Sequence, residues 1–166
     1  MWEREPVPWT IARLRLEDAE EAGTVHVQVW QEAYAGLMPD DYLAALDPVA
    51  AGEHRRDRIL HPAPGAREWV ARDEQGIVGM AASGPGRDDD APVDLELYAI
   101  NLLRRAHGTG LADELLAHAI GDHPAYLWVL EGNDRAIAFY RRHGFFDDGG
   151  RKPEPDTGLA EIRMAR

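Results

Sequence analysis

The second half of the chain alternates strand-like and helix-like segments, and this order restricts the possible folds more than any other feature. Residues 93–100 (VDLELYAI) and 125–131 (AYLWVLE) have the apolar pattern of strands. A helix-like segment ending near Gly121 lies between them, and a second one, NDRAIAFYRRHG, starts at Asn133. Helices that cross between neighbouring strands in this way are typical of mixed α/β folds.

The first half is expected to add one strand, three helices and a hairpin. The predicted elements are a strand over residues 9–16, helices over 17–34, about 40–47 and 49–60, and a hairpin around DEQG. Pro48 is expected to end the second of these helices. Two short strands around a Gly/Pro-rich turn close the chain. Because no repeat or linker interrupts residues 1–166, the sequence predicts a single domain.

The composition excludes several classes of function. The chain has 166 residues, no cysteine and a formal net charge of -12. Without cysteine, thiol catalysis and disulfides are excluded, and the seven histidines lack zinc-binding spacing, so no metal site is predicted. With no membrane or targeting segment in the pattern, the expected location is the cytoplasm. The acidic surface disfavours nucleic acid as a partner. It either attracts cationic small molecules or serves solubility alone.

The segment RRAHGTGLADELL, residues 104–116, lies between a predicted strand and a predicted helix. Gly108 and Gly110 allow a tight turn and the close approach of a ligand. The helix start directs unpaired amides and a positive dipole end towards the loop, so the segment fits a diphosphate site, although a simple turn has the same pattern. Leu111 stands where a P-loop needs lysine, and Asp113 stands where a dinucleotide fingerprint needs glycine, so neither nucleotide motif is complete.

A second pattern follows in the predicted last helix. Asn133 and Tyr140 are seven residues apart, which places them on one face of a helix. Together with Arg105-x-x-Gly108-x-Gly110, this segment resembles the GCN5-related N-acetyltransferase (GNAT) family, whose Q/R-x-x-G-x-G/A loop precedes N-x-x-A-x-x-x-Y-x-x-x-G-F. The second motif is complete here, in Asn133, Ala136, Tyr140, Gly144 and Phe145.

The resemblance covers residues 68–146, although the strand before the loop lacks the proline common in the family. It implies a mixed, mostly antiparallel sheet of six or seven strands flanked by helices, in which the middle strands splay apart after residues 95 and 125. It also implies acetyl-coenzyme A, with the diphosphate on the loop and the pantetheine arm on exposed strand backbone. The residues so assigned are Arg104, Arg105, Ala106, His107, Gly108, Thr109, Gly110 and Leu111 in the loop, Leu97, Tyr98, Ala99 and Ile100 in the strand, and Asn133, Ala136 and Tyr140 in the helix.

Acetyl transfer to an amine requires a neutral nucleophile, a polarised carbonyl and a proton for the departing thiolate. The family analogy implies Tyr140 as the acid, and a buried aromatic on an amphipathic helix is the alternative explanation. Glu96 alternates with leucines in DLELY and is the predicted base, facing the groove that the splay opens, although a solvated strand residue has the same pattern. Asn133 either orients a ligand or caps its helix. Because the chain has no cysteine, an acetyl-cysteine intermediate is impossible, and direct transfer in a ternary complex is the remaining mechanism.

The acceptor site is the part that the sequence defines least. The resemblance implies that it lies at the early helices, where Trp30, Tyr34 and Met38 are candidate substrate-binding residues beside Asp40 and Asp41. Aromatic rings beside carboxylates suit a cationic amine, whereas Trp30 and Tyr34, four residues apart, equally suit core packing. Further candidate rims of the site are Asp88–Asp90 and the KPEPDTG turn.

We therefore predict an acyltransferase that acetylates a small primary amine, with a cationic acceptor as the first choice. A non-catalytic acyl-coenzyme A sensor is one alternative, since it would keep the loop without needing Tyr140 or Glu96. A protein N-terminal or lysine acetyltransferase and a nucleotide-binding oxidoreductase are the others. Many members of the family form homodimers, but no residue in this sequence identifies an interface.

Overall fold

The computed structural model describes residues 8–166, and the first seven residues of the predicted domain lie outside this range. The elements, in chain order, are β1 (Thr10–Arg13), α1 (Ala19–Ala33), α2 (Asp40–Ala44), α3 (Pro48–Leu60), β2 (Arg67–Asp73), β3 (Gly76–Pro85), β4 (Leu95–Leu102), α4 (Leu111–Ile120), β5 (Tyr126–Leu130), α5 (Asp134–Arg142), β6 (Phe146–Pro153) and β7 (Ala160–Ala165). Short 3-10 turns at Leu16–Asp18 and Arg104–Ala106 precede α1 and α4. Within the described range, every helix is too short or too polar to cross a membrane.

The strands of residues 8–166 form one sheet of seven, in the order β1-β2-β3-β4-β5-β7-β6. Neighbouring strands are antiparallel except for β4 and β5, which are parallel and are connected through α4. β7 inserts between β5 and β6, so that β6 forms one edge. This seven-stranded, mostly antiparallel sheet with flanking helices confirms the predicted fold class.

β4 and β5 separate shortly after they meet. Their pairing consists of Glu96 with Tyr126 and Leu97 with Leu127. β4 nevertheless continues to Leu102, and its other edge stays paired with β3. Beyond Leu97, the edge of β4 that faces β5 has no strand partner among the described residues. The predicted splay of the middle strands is therefore confirmed, and it opens a gap near the centre of the sheet.

Helices cover both faces of this sheet. Successive strand residues point to opposite faces: a side chain at Gly79 of β3 would meet Leu115 of α4, whereas Met80 borders a groove beside α1 and α3. Leu111 and Leu115 of α4 are fully buried in the main core. Burial of each leucine contributes about 1.5–3 kcal/mol, and it fixes the first turn of α4 against the sheet. The loop before α4 is positioned by this anchoring.

Two boundaries differ from the sequence prediction. The first strand ends at Arg13 because the chain turns soon afterwards, and Asp18 accepts a hydrogen bond from the Arg15 N–H at 2.9 Å. Pro48 does not end α2 but is the first residue of α3. Proline is tolerated there because the N–H it lacks has no helical partner at that position. Asp47 caps α3 with its side chain.

Candidate active site

The loop between β4 and α4 turns sharply at two glycines. Gly108 and Gly110 have φ angles of 75° and 92°, a left-handed conformation that costs other residues about 1–2 kcal/mol. A Cβ atom at either position would meet no atom within 4 Å, so both glycines border open space. α4 begins at Leu111, and Gly110 before it provides no side-chain cap. The amides and the positive dipole end of this helix start therefore suit an anionic group such as a diphosphate.

The polar side chains of this loop are engaged within the protein. Arg105 forms a two-pronged ion pair with Asp73 of β2. Burial lowers the pKa of His107, so that its imidazole is neutral at pH 7. The Thr109 hydroxyl donates to the Ala106 carbonyl at 2.6 Å and stiffens the turn. The loop consequently offers its backbone, rather than the charge of Arg105, to a ligand.

The remaining predicted loop residues anchor the loop at both ends. Ala106 and Leu111 are buried in the main core. Arg104 is exposed, and its backbone N–H donates to the Glu32 carboxylate of α1 at 2.8 Å. These contacts connect the loop to both faces of the sheet while its two glycines stay open.

The predicted strand residues lie along the edge of β4 that reaches the gap; they are Leu97, Tyr98, Ala99 and Ile100. Leu97 is still paired with β5, whereas the pairing stops before the other three. On the β3 side, Leu97 pairs with Ser83 and Ala99 with Ala82, so Tyr98 is an extra residue that forms a β-bulge. Bulges bend a strand and redirect its side chains, often beside active sites. Backbone groups from Tyr98 onwards are thus left without a β5 partner.

Tyr140 lies on the buried face of α5, with 8% of its surface exposed, and its ring contacts Phe145. Burial, together with the nearby Tyr34 phenol, raises the pKa of Tyr140, so its hydroxyl keeps its proton at neutral pH. Asn133 caps α5 by accepting a hydrogen bond from the Ala136 N–H at 3.4 Å. Asn133 therefore caps its helix, as one of the two predicted roles requires. Tyr140 is a protonated phenol near Tyr34, at the end of α1.

The prediction that Glu96 faces an open groove is wrong. Glu96 is 1% exposed, and its carboxylate accepts hydrogen bonds from the Arg87 guanidinium at 2.7 and 3.2 Å and from the Tyr126 hydroxyl at 2.9 Å. The alternation in DLELY correctly separates Glu96 from the leucines, but it cannot reveal what covers the polar face. Arg87, held by Glu96, lies 4.0 Å from the centre of the Tyr98 ring. Glu96 thus positions Arg87 beside the bulge.

The three predicted substrate-binding residues form one apolar cluster. Trp30, Tyr34 and Met38 pack with Leu43 of α2 and Leu130 of β5, apart from the main core. The rings of Trp30 and Tyr34 meet edge to face, with centroids 4.9 Å apart. Met38 is 3% exposed and acts as a packing residue. For Trp30 the sequence left core packing and substrate binding open. The structure is compatible with both, because Trp30 packs in this cluster and also borders a groove.

This groove has a volume of about 960 Å³ and lies between the sheet and the helices α1 and α3. Trp30 borders it on the helix side and Tyr98 on the sheet side, and Arg87 lies at the β3–β4 loop. The groove therefore reaches the bulge of β4, where the strands begin to separate. A second cavity, of about 880 Å³, lies at the other end of α4 near Gly121, away from the glycine loop.

The predicted rims of the acceptor site are only partly at the groove. Asp156 of the KPEPDTG turn borders it and accepts a hydrogen bond from the Tyr42 hydroxyl at 3.0 Å. Asp88 instead accepts a hydrogen bond from the Trp128 indole at 2.7 Å, and Asp90 pairs with Arg163. Asp40 and Asp41 are exposed at the start of α2.

Sequence reasoning missed Glu161 of β7. It pairs with Leu130 of β5, and directly opposed residues place their side chains on the same face of a sheet. That face carries the apolar cluster with Tyr34. Burial raises the pKa of Glu161, an effect that Lys152 opposes and Glu154 strengthens. In the sequence, Glu161 is one polar residue among alternating apolar ones, so no local signal distinguishes it from a solvated strand position.

The sheet separates beside a glycine loop, as the resemblance to the GNAT family implies. The family model of the acetyltransferase (GNAT) family matches residues 27–145, from α1 to the residue before β6. The chain therefore belongs to the GNAT family. The predicted family, the enzyme class of N-acetyltransferases and acetyl-coenzyme A as the cofactor are thus confirmed.

Individual relatives agree with this assignment. The uncharacterised N-acetyltransferase YuaI of Bacillus subtilis (strain 168) is 33% identical over 162 residues, covering 93% of this chain and 88% of YuaI. The structure of PaiA N-acetyltransferase from Thermoplasma acidophilum with coenzyme A matches with a TM-score of 0.72 and 16% identity, over 95% of this chain and 98% of that one. Spermidine N-acetyltransferase SpeG of Vibrio cholerae matches with a TM-score of 0.64 and 17% identity, over 96% and 93%. These structural similarities establish the fold.

Proposed function

We propose that this protein transfers an acetyl group from acetyl-coenzyme A to the primary amine of a small molecule, with residues 1–166 acting as one catalytic domain. The observation that carries the proposal is the gap between β4 and β5. The glycine loop follows the end of β4, and the apolar cluster that contains Tyr34 and Leu130 lies at the end of β5. Because the chain has no cysteine to form an acetyl-enzyme, the transfer is direct and takes place in a ternary complex.

The residues present fit the coenzyme. The open space at Gly108 and Gly110 and the start of α4 suit its diphosphate. The β4 backbone from Tyr98 to Ile100, which has no β5 partner, suits the amide-bearing pantetheine arm. When bound, the coenzyme supplies the acetyl group as an activated thioester. The ion pair of Arg105 with Asp73 is consistent with a site built from backbone groups.

Tyr140 is the proposed general acid. Its hydroxyl stays protonated at neutral pH and can donate as negative charge develops on the departing sulfur. A phenol with a raised pKa is a weaker acid, but a thiolate departing beside this buried phenol would also bind its proton more tightly, because burial disfavours every charged form. The neighbouring Tyr34, whose pKa is raised to about 12, stays neutral and adds no competing charge.

We propose Glu161 rather than Glu96 as the general base. The Glu96 carboxylate is buried and occupied by Arg87 and Tyr126. The Glu161 carboxylate is half-buried and lies on the face that carries Tyr34. Among the described residues, no group donates a hydrogen bond that affects its pKa. It can take a proton from an ammonium group, directly or through a water, and so release the neutral nucleophile.

Free thiol release from acetyl-coenzyme A in the presence of a panel of small amines tests the proposal. The expected result is thiol release that requires both protein and amine, with the acetylated amine identified by mass spectrometry. Tight coenzyme binding without turnover on any amine would instead indicate the sensor, and acetylation restricted to peptide termini or lysines would indicate a protein acetyltransferase.

The variant Glu161→Gln tests the base. We expect kcat/KM to fall by about 10²–10⁴-fold at pH 7 and to recover as the pH approaches the amine pKa of about 10, because a free amine needs no base. The charged or titratable groups that influence Glu161 are Lys152, Glu154, Arg87 and Asp88, and Tyr34 lies close by. Glu131→Gln, at an exposed glutamate after β5, is the control. The assignment fails if both variants have the same pH profile as the wild type.

A further inference from the structure

The groove between the sheet and the helices α1 and α3, where we place the acceptor, has the opposite charge balance to the chain. The chain contains 30 acidic and 18 basic residues, whereas the groove is lined by five arginines and two acidic residues. Arg87 is balanced by Glu96, which leaves four arginines facing two carboxylates. The arginines come from four separate segments and are Arg13, Arg55, Arg58, Arg67 and Arg87; the acidic residues are Glu68 and Asp156. Like charges gathered in a concave site create a local potential that differs from the average surface.

The carboxylate inside the groove does not neutralise the arginines around it. Glu68 accepts hydrogen bonds from Arg55 at 3.0 Å and from Arg58 at 2.8 Å, so one negative charge serves two positive charges. The same surroundings act on His26, since burial, Arg55 and Arg58 lower its pKa to about 4. At neutral pH this histidine is uncharged, and the arginine pair retains a net positive charge.

The acceptor region has a carboxylate at its opposite end. The rings of His26, Trp30 and Tyr34 follow one another along α1, with successive centroids 5.2 and 4.9 Å apart. His26 contacts Arg55 at one end of this row. At the other end, Tyr34 packs in the cluster that includes Leu130 of β5, and Leu130 pairs directly with Glu161 of β7. Tyr34 follows His26 by eight positions, which corresponds to about 12 Å along the helix axis. The region is therefore bipolar, with Arg55 and Arg58 at one end and Glu161 at the other.

We propose that the acceptor is an amine that also carries an anionic group, a carboxylate or a phosphate, several bonds away. This inference rests on the proposed acetyl transfer and names the class of its acceptor. The ammonium end meets Glu161, and the anionic end pairs with the Arg58 guanidinium, which stays 41% exposed beside Glu68 and whose planar fork suits such anions. The Trp30 ring lies between the two ends and packs against the connecting chain.

The groove thereby selects against the cationic acceptor that the net charge of the whole chain favours. A charge of -12 attracts cations at long range, but its effect is screened beyond about 10 Å in salt solution. Arginines within the groove act at contact distance on the bound molecule. Their repulsion of a second positive group therefore outweighs the average field.

Three acceptors of equal length test this inference: 6-aminohexanoate, hexylamine and 1,6-diaminohexane. They share a primary amine and the same carbon chain, and their far ends are anionic, neutral and cationic. We expect kcat/KM for thiol release to be at least about tenfold higher for 6-aminohexanoate than for either other compound, because charge complementarity governs such discrimination. Equal values, or a preference for the diamine, would overturn the inference.

The variants Arg58→Gln and Arg56→Gln separate the groove from the general charge of α3. Arg58 borders the groove, whereas Arg56 lies exposed on the same helix outside it. We expect Arg58→Gln to raise KM for 6-aminohexanoate with little change in kcat, as for an interaction made equally in the ground and transition states. Arg56→Gln should match the wild type. The same loss in both variants, or a loss in kcat alone, contradicts a binding role for the groove.

A thermal-shift titration with each compound distinguishes failure of this inference from failure of the proposed function. A bound acceptor raises the unfolding midpoint whether or not acetyl transfer follows. If no thiol is released but 6-aminohexanoate stabilises the wild type more than Arg58→Gln, acetyl transfer is refuted, whereas the class of ligand that the groove binds stands. If thiol is released regardless of the charge at the far end, acetyl transfer stands and the acceptor class is refuted.

Discussion

The proposed coenzyme side and the proposed acceptor side of this site are built from different chemical groups. On the coenzyme side, Gly108, Gly110 and the start of α4 present backbone, and a neighbouring cation, Arg105, is paired within the protein. On the acceptor side, arginine and aromatic side chains such as Arg58 and Trp30 line the groove. A ligand shared by a family can be bound through backbone geometry, which leaves a glycine motif in the sequence. An acceptor particular to one member is bound by side chains that leave none.

Tyr140→Phe tests the proposed acid, which would act between the coenzyme and the acceptor, and it has the largest expected effect. Removing the hydroxyl removes the proposed acid, so kcat should fall by about 10²–10⁴-fold. Coenzyme affinity, measured by calorimetry, should stay unchanged because the loop is untouched. Phe139→Leu, on the same helix beside Tyr140, controls for altered packing. Wild-type turnover in Tyr140→Phe would remove the phenol from the mechanism.

His26 should make the stability of the acceptor side depend on pH. Its pKa is about 4 in the folded protein and 6.5 in the reference state, so the unfolded chain binds the proton more readily, and stability falls as the pH drops from 6.5 towards 4. The loss is at most about 3 kcal/mol. Burial, the Arg55 and Arg58 cations and the nearby His54 lower this pKa, and Glu68 opposes them.

Urea denaturation between pH 7 and 4 measures this dependence. His26→Gln should reduce the slope of stability against pH in that window, because glutamine at position 26 binds no proton. His61→Gln, at an exposed histidine after α3, should keep the wild-type slope. A slope that is identical in all three proteins would mean that other groups cause the acid sensitivity.

Glu96→Gln should weaken the acceptor side alone. The substitution replaces a buried carboxylate that binds Arg87 and Tyr126, and hydrogen bonds to charged groups contribute about 1.5–3 kcal/mol each. We expect a loss of stability of about 2 kcal/mol and a higher acceptor KM, with unchanged coenzyme affinity. Glu17→Gln breaks the exposed pair with Arg15 and should cost under about 1 kcal/mol. Equal losses in both variants would show that burial of Glu96 adds nothing.

Gly110→Ala should weaken the coenzyme side, with the smallest expected energy. The new methyl group points into open space at a φ of 92°, so the variant loses about 1–2 kcal/mol of stability from backbone strain. Coenzyme affinity should fall at least about tenfold, which corresponds to about 1.4 kcal/mol. Gly149→Ala has a matching φ of 91° and equally open surroundings in β6. It should show the strain without the loss of affinity, and similar affinities in the two variants would argue against a backbone cradle at the loop.

Local patterns predicted most of the second half of the chain. The alternation in AYLWVLE corresponds to β5, and Asn133 caps α5 as its residue type suggests. Gly144 has a φ of 85° just after that helix, as a helix-ending glycine requires. Local patterns also explain the wrong prediction at Pro48. Proline is common both just after a helix and at the first position of one, and the residue type alone does not distinguish these roles.

By itself, the sequence determined the order of the elements, the family and the cofactor, because turns, caps and strand alternation depend on residues close together in the chain. Tertiary structure alone decided that Glu96 is enclosed by Arg87 and that Glu161 lies opposite Leu130, in the cluster with Tyr34. It also brought arginines from four segments into one groove. Burial and charge pairing arise between residues far apart in the sequence, and a local pattern assigns a side chain to a face without specifying what that face meets.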